Sequence, residues 1–163
     1  MKLEKNEHNL HEITKLIEYA FNKKPGIATD PVFLARYNNA TCYGNLTGTK
    51  LTSLVMVNHF QGQLYEQTLP VAGIGYVSSY PEVRGDGGVT KIMNELLTDL
   101  GNDKVPFSLL APFSEGFYQR FGYENILQQK HYHFTKAAFN YFASEKLGQV
   151  QRGRWSDESV QEL

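Results

Sequence analysis

Cysteine is nearly missing from this sequence of 163 residues, in which Cys42 is the single example. An internal disulfide is therefore excluded, and a cytoplasmic location is expected. Long hydrophobic runs are missing as well, so we expect neither a membrane span nor a signal peptide. Charge of one sign is not in excess, because 16 basic and 17 acidic side chains leave a net charge of −1. This balance gives no electrostatic reason to expect nucleic acid or an anionic membrane as a partner.

The rest of the composition is typical of a folded globular protein, with 41% hydrophobic and 20% charged residues. The length predicts one domain whose core is large enough to fold alone. We assign this domain to residues 1–136, because the pattern becomes more polar from Lys136 onward. The remaining residues, 137–163, are interpreted as a C-terminal extension.

Local patterns predict helices and strands in the first part of the chain. Asn6 or Asn9 can cap a first helix, and Asp30-Pro31 is typical of the start of a second. Successive strands are predicted over residues 41–46, 51–60 and 63–77, with tight turns at 47–49 and 61–62. Because proline interrupts the third of these strands at Pro70, we expect a bulge or an edge position there.

Further predictions concern the second half of the chain. Residues 105–110 predict a buried strand, and a short helix is expected to begin at Pro112 or Ser114 and to end at Gly122. Residues 125–134 predict strand, and 137–147 predict a helix.

The stretch 71–101 has the clearest functional pattern, a strand followed by a glycine-rich turn and a helix. Its first ten residues are small, β-branched or aromatic, and Pro81 ends the predicted strand. The turn Arg84-Gly85-Asp86-Gly87-Gly88 precedes hydrophobic residues at helical spacing, and Gly101 lies where a C-terminal cap is expected. This order directs free backbone N–H groups and the positive end of a helix dipole at an anion. Arg84 adds a charge suited to phosphate, so we predict a pyrophosphate site.

Two common phosphate motifs do not fit this turn. A dinucleotide fold requires G-x-G-x-x-G and a later acidic residue, and a P-loop requires a lysine that the turn does not contain. The pattern Arg84-x-x-Gly87-x-Val89 instead resembles the R-x-x-G-x-G/A signature of the GNAT superfamily of N-acetyltransferases. Together with segments 80–84 and 111–124, the sequence resembles the Eis-type (enhanced intracellular survival) acetyltransferases over residues 2–135.

The resemblance implies an α/β fold with a mixed, mostly antiparallel twisted sheet, helices on its faces and a V-shaped cofactor cleft. It also implies transfer of an acetyl group from acetyl-CoA to a primary amine, with the two early helices walling the acceptor site. Eis-type proteins continue into further domains, and residues 137–163 resemble the truncated start of the second one. A homo-oligomer is compatible with the family.

The resemblance assigns the cofactor site residue by residue. The pyrophosphate cradle is the turn and helix start, formed by Arg84, Gly85, Asp86, Gly87, Gly88, Val89 and Thr90. Backbone groups of Val77, Ser78 and Ser79 are expected to bind the pantetheine arm and the thioester carbonyl, where an amide N–H stabilises an oxyanion. Ser114 and Glu115 are expected to contact the cofactor. Two residues depart from the family pattern, because Val89 replaces glycine or alanine and Asp86 adds a negative charge beside the phosphates.

Tyr118 is the predicted catalytic residue. Eis-type enzymes have a tyrosine at this position as general acid, and a phenol can protonate the departing thiolate of coenzyme A. The alternative is an ordinary packed aromatic residue. No general base stands out, since Asp30 and Glu66 are only acidic residues in strands or loops. In Eis-type enzymes the far C-terminal carboxylate is thought to help.

Several alternatives remain open. His131 and His133 alternate without a third ligand, so no metal site is predicted. The chain could be a truncated or degenerate domain that binds coenzyme A without efficient turnover, or a protein-interaction module that binds no nucleotide. The amine acceptor is also open among aminoglycosides, polyamines, peptide amines and lysine.

Overall fold

The computed structural model describes residues 1–135, 137–138 and 153–154. The chain divides into two compact units, Met1–Asn125 and Ile126–Leu163. Every helix and strand named here lies in the first unit: α1 (Glu7–Ala20), α2 (Pro31–Asn38), β1 (Ala40–Thr47), β2 (Lys50–Leu64), β3 (Gln67–Ser79), α3 (Gly88–Asn102), β4 (Phe107–Leu110) and α4 (Glu115–Gln119). The predicted domain boundary at residue 136 stays a prediction.

The four strands form one sheet in the order β1-β2-β3-β4. The first three strands are antiparallel neighbours, whereas β3 and β4 are parallel and are joined through α3. Only Val71–Ile74 of β3 pair with β4. The last five residues of β3 therefore have no partner on that side among the described residues, and the two strands part at their carboxyl ends. The predicted mixed α/β fold, with helices flanking a mostly antiparallel sheet, is confirmed.

Two hydrophobic clusters cover the two faces of the sheet. On one face, α1 and α2 bury residues such as Ile13, Leu16 and Phe33 against Leu54 and Met56 of β2. On the other face, α3 buries a separate set of side chains against the sheet, including Ile92, Met93 and Leu96. Because alternate residues of a strand point to opposite faces, one sheet supports both layers.

The predicted helix starts are confirmed by their capping bonds. Asn6 Oδ1 accepts the N–H of Asn9 at 2.8 Å at the start of α1. Asp30 Oδ1 accepts the N–H of Val32 at 2.9 Å at the start of α2. Each side chain satisfies an N–H group that the helix itself leaves without a partner.

The end of α3 differs from the prediction, because Gly101 is inside the helix and is not its cap. The helix continues to Asn102, and Lys104 is the residue in the left-handed region, with φ of 56°. The N–H of Val105 bonds to Leu100 O and that of Lys104 to Gly101 O, which is the bond pattern of a Schellman motif. A lysine therefore occupies the position at which glycine is most favourable.

A glycine at residue 104, the left-handed position, in place of the one at residue 101 is expected to stabilise the domain. Gly101→Ala fills an open helical position with a better helix former, and Lys104→Gly relieves left-handed backbone strain. Each change is expected to raise the free energy of unfolding by about 0.5–1 kcal/mol. Urea denaturation of both single variants and of the double variant measures the gain. A loss of stability in Lys104→Gly would contradict the assigned helix end.

The predicted turn at residues 61–62 is wrong. Strand β2 continues to Leu64, with Gln61 opposite Pro70, and the hairpin turn is formed by Tyr65 and Glu66. Both turn residues have positive φ, 45° and 68°, as a two-residue hairpin turn requires. The turn was not predicted because neither residue is glycine or asparagine. The expected edge position of Pro70 is confirmed, since pairing with β4 begins only at Val71.

One further strand prediction is confirmed in part and another is wrong. The stretch 105–110 forms strand only at Phe107–Leu110, and it is not buried, because Phe107 and Leu109 are 44% and 45% exposed. Phe107 and Leu109 lie on one face of β4, whereas Leu110 on the opposite face packs against the cluster of α3. The stretch 125–134 contains no strand, and its large apolar side chains are exposed. The short helix closed by Gly122 is confirmed as α4, whereas the helix predicted at 137–147 falls almost entirely outside the described residues.

Candidate functional site

A β-bulge interrupts β3 shortly before its carboxyl end. Leu54 is opposite Ser78 but Met56 is opposite Gly75, so Tyr76 and Val77 together face the single residue between them on β2. Tyr76 has φ of 49°, the left-handed conformation of the first residue in a G1-type bulge, where glycine is usual. Tyr76 packs against the cluster of α1 and α2, whereas Val77 packs against the cluster of α3. The bulge thus presents two adjacent side chains to opposite faces of the sheet.

The turn before α3 leaves a row of backbone N–H groups free. Gly85 and Gly87 have φ of 96° and 77°, and Gly87 is an N-cap that offers no side-chain acceptor to the helix. Within the described part of the chain, no hydrogen bond is donated by the N–H groups of Gly85, Gly87, Gly88, Val89 and Thr90. These donors, together with the positive end of the helix dipole, form a cradle of the kind that binds phosphate.

Gly88 allows the start of α3 to lie directly on the sheet. A Cβ atom at this position would be 2.6 Å from Ser53 Oγ and 3.4 Å from Asn45 Nδ2. Ser79 Oγ in turn donates to Ser53 Oγ at 2.8 Å. Gly88 at the helix start and Ser79 at the end of β3 therefore both lie against Ser53, so the structure brings these two predicted parts of the cofactor site into one place.

The side chains around the cradle differ in whether they already have an ion-pair or hydrogen-bond partner within the described protein. Arg84 and Asp86 are exposed, and neither forms an ion pair with another described residue. The Arg84 guanidinium is therefore available to a phosphate. Ser78 Oγ donates to the carbonyl of Tyr76 at 3.0 Å, and the Ser79 hydroxyl is used by Ser53. Both serine hydroxyls satisfy local partners, which leaves any ligand contact at this strand end to the backbone.

Tyr118 is buried in a group of aromatic rings. Its ring centroid is 5.3 Å from that of Phe113, 5.1 Å from that of Phe117 and 6.0 Å from that of Tyr123. Only 3% of the residue is exposed, and its hydroxyl has no hydrogen bond to any described residue. Burial, with a smaller contribution from Tyr123, raises the pKa of Tyr118 to about 12. Tyr118 belongs to the same hydrophobic cluster as Val77 and Val89, so the structure brings these three predicted residues together.

The start of α4 supports a cofactor contact less clearly than the turn before α3 does. Ser114 is its N-cap residue, but its side chain forms no capping hydrogen bond. The Glu115 carboxylate accepts the side-chain N–H of Asn125 at 3.1 Å. The predicted contacts of Ser114 and Glu115 with the cofactor stay predictions.

A cavity of about 220 Å³ lies on the face of α1 and α2, the two helices that the family resemblance places at the acceptor site, although no residue pattern indicated its lining. Its lining combines apolar and charged side chains: Ile17, Lys23, Ile27, Asp30, Val32, Phe33, Arg36 and Tyr76. The sequence predicts Asp30 as a helix cap and gives no reason to select it as a general base. The contribution of Tyr76 depends on the bulge, which becomes visible only when β3 is paired with β2.

No three His, Cys, Asp or Glu side chains of residues 1–135, 137–138 and 153–154 are placed to hold a metal ion. Within the same ranges, every helix is too short or too polar to span a bilayer.

The chain is similar to several proteins of one family. The family described as the acetyltransferase (GNAT) domain matches residues 4–126. A conserved protein of unknown function and probable N-acyltransferase from Enterococcus faecalis V583 is 43% identical, with a TM-score of 0.70, over 76% of this chain and 31% of its own. No curated protein matches the chain.

Two more distant solved structures share the fold. The GCN5-related N-acetyltransferase from Kribbella flavida is 22% identical, with a TM-score of 0.66, over 76% of this chain and 32% of its own. The one from Anabaena variabilis ATCC 29413 is 21% identical, with a TM-score of 0.63, over 74% and 30%. The chain therefore spans about a third of the length of these three proteins.

Proposed function

The chain belongs to the GNAT family of acetyltransferase domains, and we propose that it transfers the acetyl group of acetyl-CoA to a primary amine. The observation that carries this proposal is the row of free N–H groups at the start of α3, next to the end of β3. A helix start with free donors binds anions, and a diphosphate offers several acceptor oxygens to one such row.

The proposed reaction forms one bond and breaks one. The neutral amine nitrogen attacks the thioester carbonyl carbon, a C–N bond forms, and the C–S bond then breaks to release the coenzyme A thiolate. The amine nitrogen gives up one proton, and the thiolate takes up one. Two tasks follow for the protein, since it must stabilise the oxyanion of the intermediate and protonate the leaving sulfur.

We assign these tasks to the residues that the structure brings together. The cradle from Arg84 to Thr90 holds the pyrophosphate. The backbone of Val77, at the bulge, is offered to the thioester carbonyl, because a bulge leaves its extra residue outside the regular ladder. Tyr118 supplies the proton to the thiolate from the same face of the sheet. Ser78, Ser79, Ser114 and Glu115 complete the proposed cofactor contacts.

We also keep the Eis-type assignment as a proposal. It is supported by the segment 111–124, in which Tyr118 is followed by Arg120, Phe121 and Gly122. A cytoplasmic location and assembly into a homo-oligomer are proposed with it. Binding of coenzyme A without efficient turnover remains the second candidate, favoured by the exposed, unpaired carboxylate of Asp86 beside the cradle.

The cofactor site is tested by a pair of charge changes with opposite expected signs. Arg84→Ala should weaken acetyl-CoA binding by about tenfold or more, because a charge-assisted hydrogen bond to phosphate is lost. Asp86→Asn should tighten binding, because a repulsive charge is removed. Both effects should decrease as salt is added, since exposed charges are screened. Isothermal titration calorimetry with acetyl-CoA measures the dissociation constants.

Lys15→Gln is the control for this experiment. Lys15 is an exposed cation on α1, whose cluster lies on the opposite face of the sheet from α3, and its loss changes the net charge as Arg84→Ala does. Its affinity for acetyl-CoA should equal that of the wild type. No binding by the wild type, or equal affinity in Arg84→Ala, would overturn the proposed cofactor site.

A further inference from the structure

The cavity of about 220 Å³ is lined in part by the residue that precedes the proposed thioester contact. Tyr76 contributes to its lining, and Tyr76 is bonded directly to Val77, whose backbone is offered to the thioester carbonyl. Tyr76 is also the residue held in the left-handed conformation by the bulge. Such strained conformations persist where the surrounding structure over-determines them, and they are concentrated at functional sites.

Aromatic and aliphatic side chains hold Tyr76 at the cavity. Its ring packs edge-on against Phe33 at 6.1 Å and against Phe21 at 5.5 Å. Ile17 and Phe33 are buried, so the apolar part of the lining is anchored in the core of α1 and α2. This lining is built on packed elements, and a ligand does not have to order it.

The charged part of the lining has one anion and two cations. Asp30 uses Oδ1 to accept the N–H of Val32, and Oδ2 has no hydrogen-bond partner among the described residues. Lys23 and Arg36 are exposed, and neither pairs with an acidic side chain of the described ranges. The lining thus offers one carboxylate oxygen and two unpaired cations around the same space.

These features limit the chemistry of a ligand. The volume is smaller than the 300–1,000 Å³ usual for drug-sized ligands, so the cavity holds a small molecule or the end of a longer one. Two cations repel a polyamine, whose charges are all positive, and they attract a carboxylate or a phosphate. The single carboxylate can accept hydrogen bonds from an amine.

We propose that this cavity binds the acceptor of the acetyl transfer, and that the acceptor is a small primary amine that also carries an anionic group. Asp30 accepts hydrogen bonds from its amine nitrogen, and Lys23 and Arg36 hold its carboxylate or phosphate. This proposal rests on the proposed function, because it names the acceptor for the same reaction. The anionic group of the acceptor is either a carboxylate or a phosphate, and the test distinguishes the two.

The test compares matched pairs of acceptors at saturating acetyl-CoA. β-Alanine is compared with β-alaninamide, and phosphoethanolamine with ethanolamine, so that each pair differs by the anionic group. Intrinsic reactivity differs within a pair, so the quantity measured is the change in the kcat/KM ratio between wild type and variant. In Arg36→Gln and Lys23→Gln the preference for the anionic member should fall by about tenfold each, mainly through KM. The pair with the larger fall identifies carboxylate or phosphate.

Two further variants keep the test interpretable. Lys24→Gln removes the adjacent charge, which does not line the cavity, and should leave the preference unchanged. Asp30→Asn removes the carboxylate but retains the helix cap, because asparagine caps as well as aspartate does. It should raise KM for both members of a pair while the melting temperature stays near that of the wild type.

The outcomes separate this proposal from the proposed function. Acetyl-CoA binding measured by calorimetry tests the cofactor site alone. If acetyl-CoA binds but the anionic preference is equal in wild type and Arg36→Gln, or if Lys24→Gln lowers it as much, the acceptor proposal is wrong and the cofactor site stands. If no amine is turned over, calorimetric titration with β-alanine and phosphoethanolamine decides. Failure of both to bind overturns the proposal, and binding that weakens in Arg36→Gln supports it.

Discussion

Replacing Tyr118 by phenylalanine is expected to lower the rate of acetyl transfer by about 10²–10⁴. The leaving thiolate of coenzyme A then has no proton donor at this position. The affinity for acetyl-CoA should stay unchanged, because the phosphates are held at the start of α3. Initial rates at saturating acetyl-CoA, together with calorimetric dissociation constants, separate the two effects.

The environment of Tyr118 supports an acid role. Burial raises the pKa of its phenol to about 12, so the hydroxyl keeps its proton throughout the range in which the enzyme is assayed. No described residue bonds to this hydroxyl, so the substitution removes no hydrogen bond and should cost little stability. The expected variant is therefore folded, able to bind acetyl-CoA and slow.

Tyr123→Phe is the matched control. Tyr123 contacts the ring of Tyr118, but its hydroxyl is bonded to Ser108 Oγ at 2.6 Å. Loss of that bond should lower the free energy of unfolding by about 1 kcal/mol and leave the rate near that of the wild type. Equal rates for Tyr118→Phe and wild type would remove Tyr118 from the proposed mechanism.

Acetyl transfer by this chain is expected to rise about 300-fold between pH 7 and pH 9.5. The neutral fraction of an alkyl amine with pKa near 10.4 increases about tenfold per pH unit in this range. The ring contacts of Tyr118 are with phenylalanine and tyrosine, and the described residues place no carboxylate or imidazole among them. Asp30 is proposed to bind the amine but not to take up its proton, so the rate should follow the neutral fraction.

The highest pH at which this experiment can be run is set by folding stability, through the ionisation of two buried groups. Burial raises the pKa of the Cys42 thiol from 9.0 to about 11 and that of Tyr118 from 10.0 to about 12. Each group contributes stability that is complete below its unfolded pKa and is lost as pH rises through the folded value. Rates should therefore be measured up to pH 9.5, with circular dichroism to confirm folding. A rate independent of pH would show that a base has been overlooked.

Features set by neighbouring residues were predictable from the sequence. Asn6 and Asp30 cap their helices through bonds spanning two or three residues, and both were predicted. The cradle was predictable for the same reason, because glycines at positive φ and a following helix are read from consecutive residues. Local chemistry therefore located the proposed cofactor site.

Features that depend on pairing between strands were not predictable. The hairpin turn at Tyr65 and Glu66 has positive φ without the usual residues, because the register of β2 and β3 imposes it. The exposure of β4 depends on which strand lies beside it. The cavity needs Tyr76, whose side chain reaches it only because the bulge changes the pairing. A sequence pattern contains none of this long-range information.

The bulge at Tyr76 gives the two ends of β3 different tolerance to changes in length. Before it, even-numbered residues such as Ile74 face α3; after it, odd-numbered Val77 and Ser79 do. At the hairpin end, an inserted residue beside the exposed Tyr65 would only enlarge the loop. Deleting one residue at the bulge would exchange the faces of everything up to Ser79 and would remove the cavity and the cradle contact together. Homologous chains should therefore vary in length at the hairpin and stay constant from the bulge to α3.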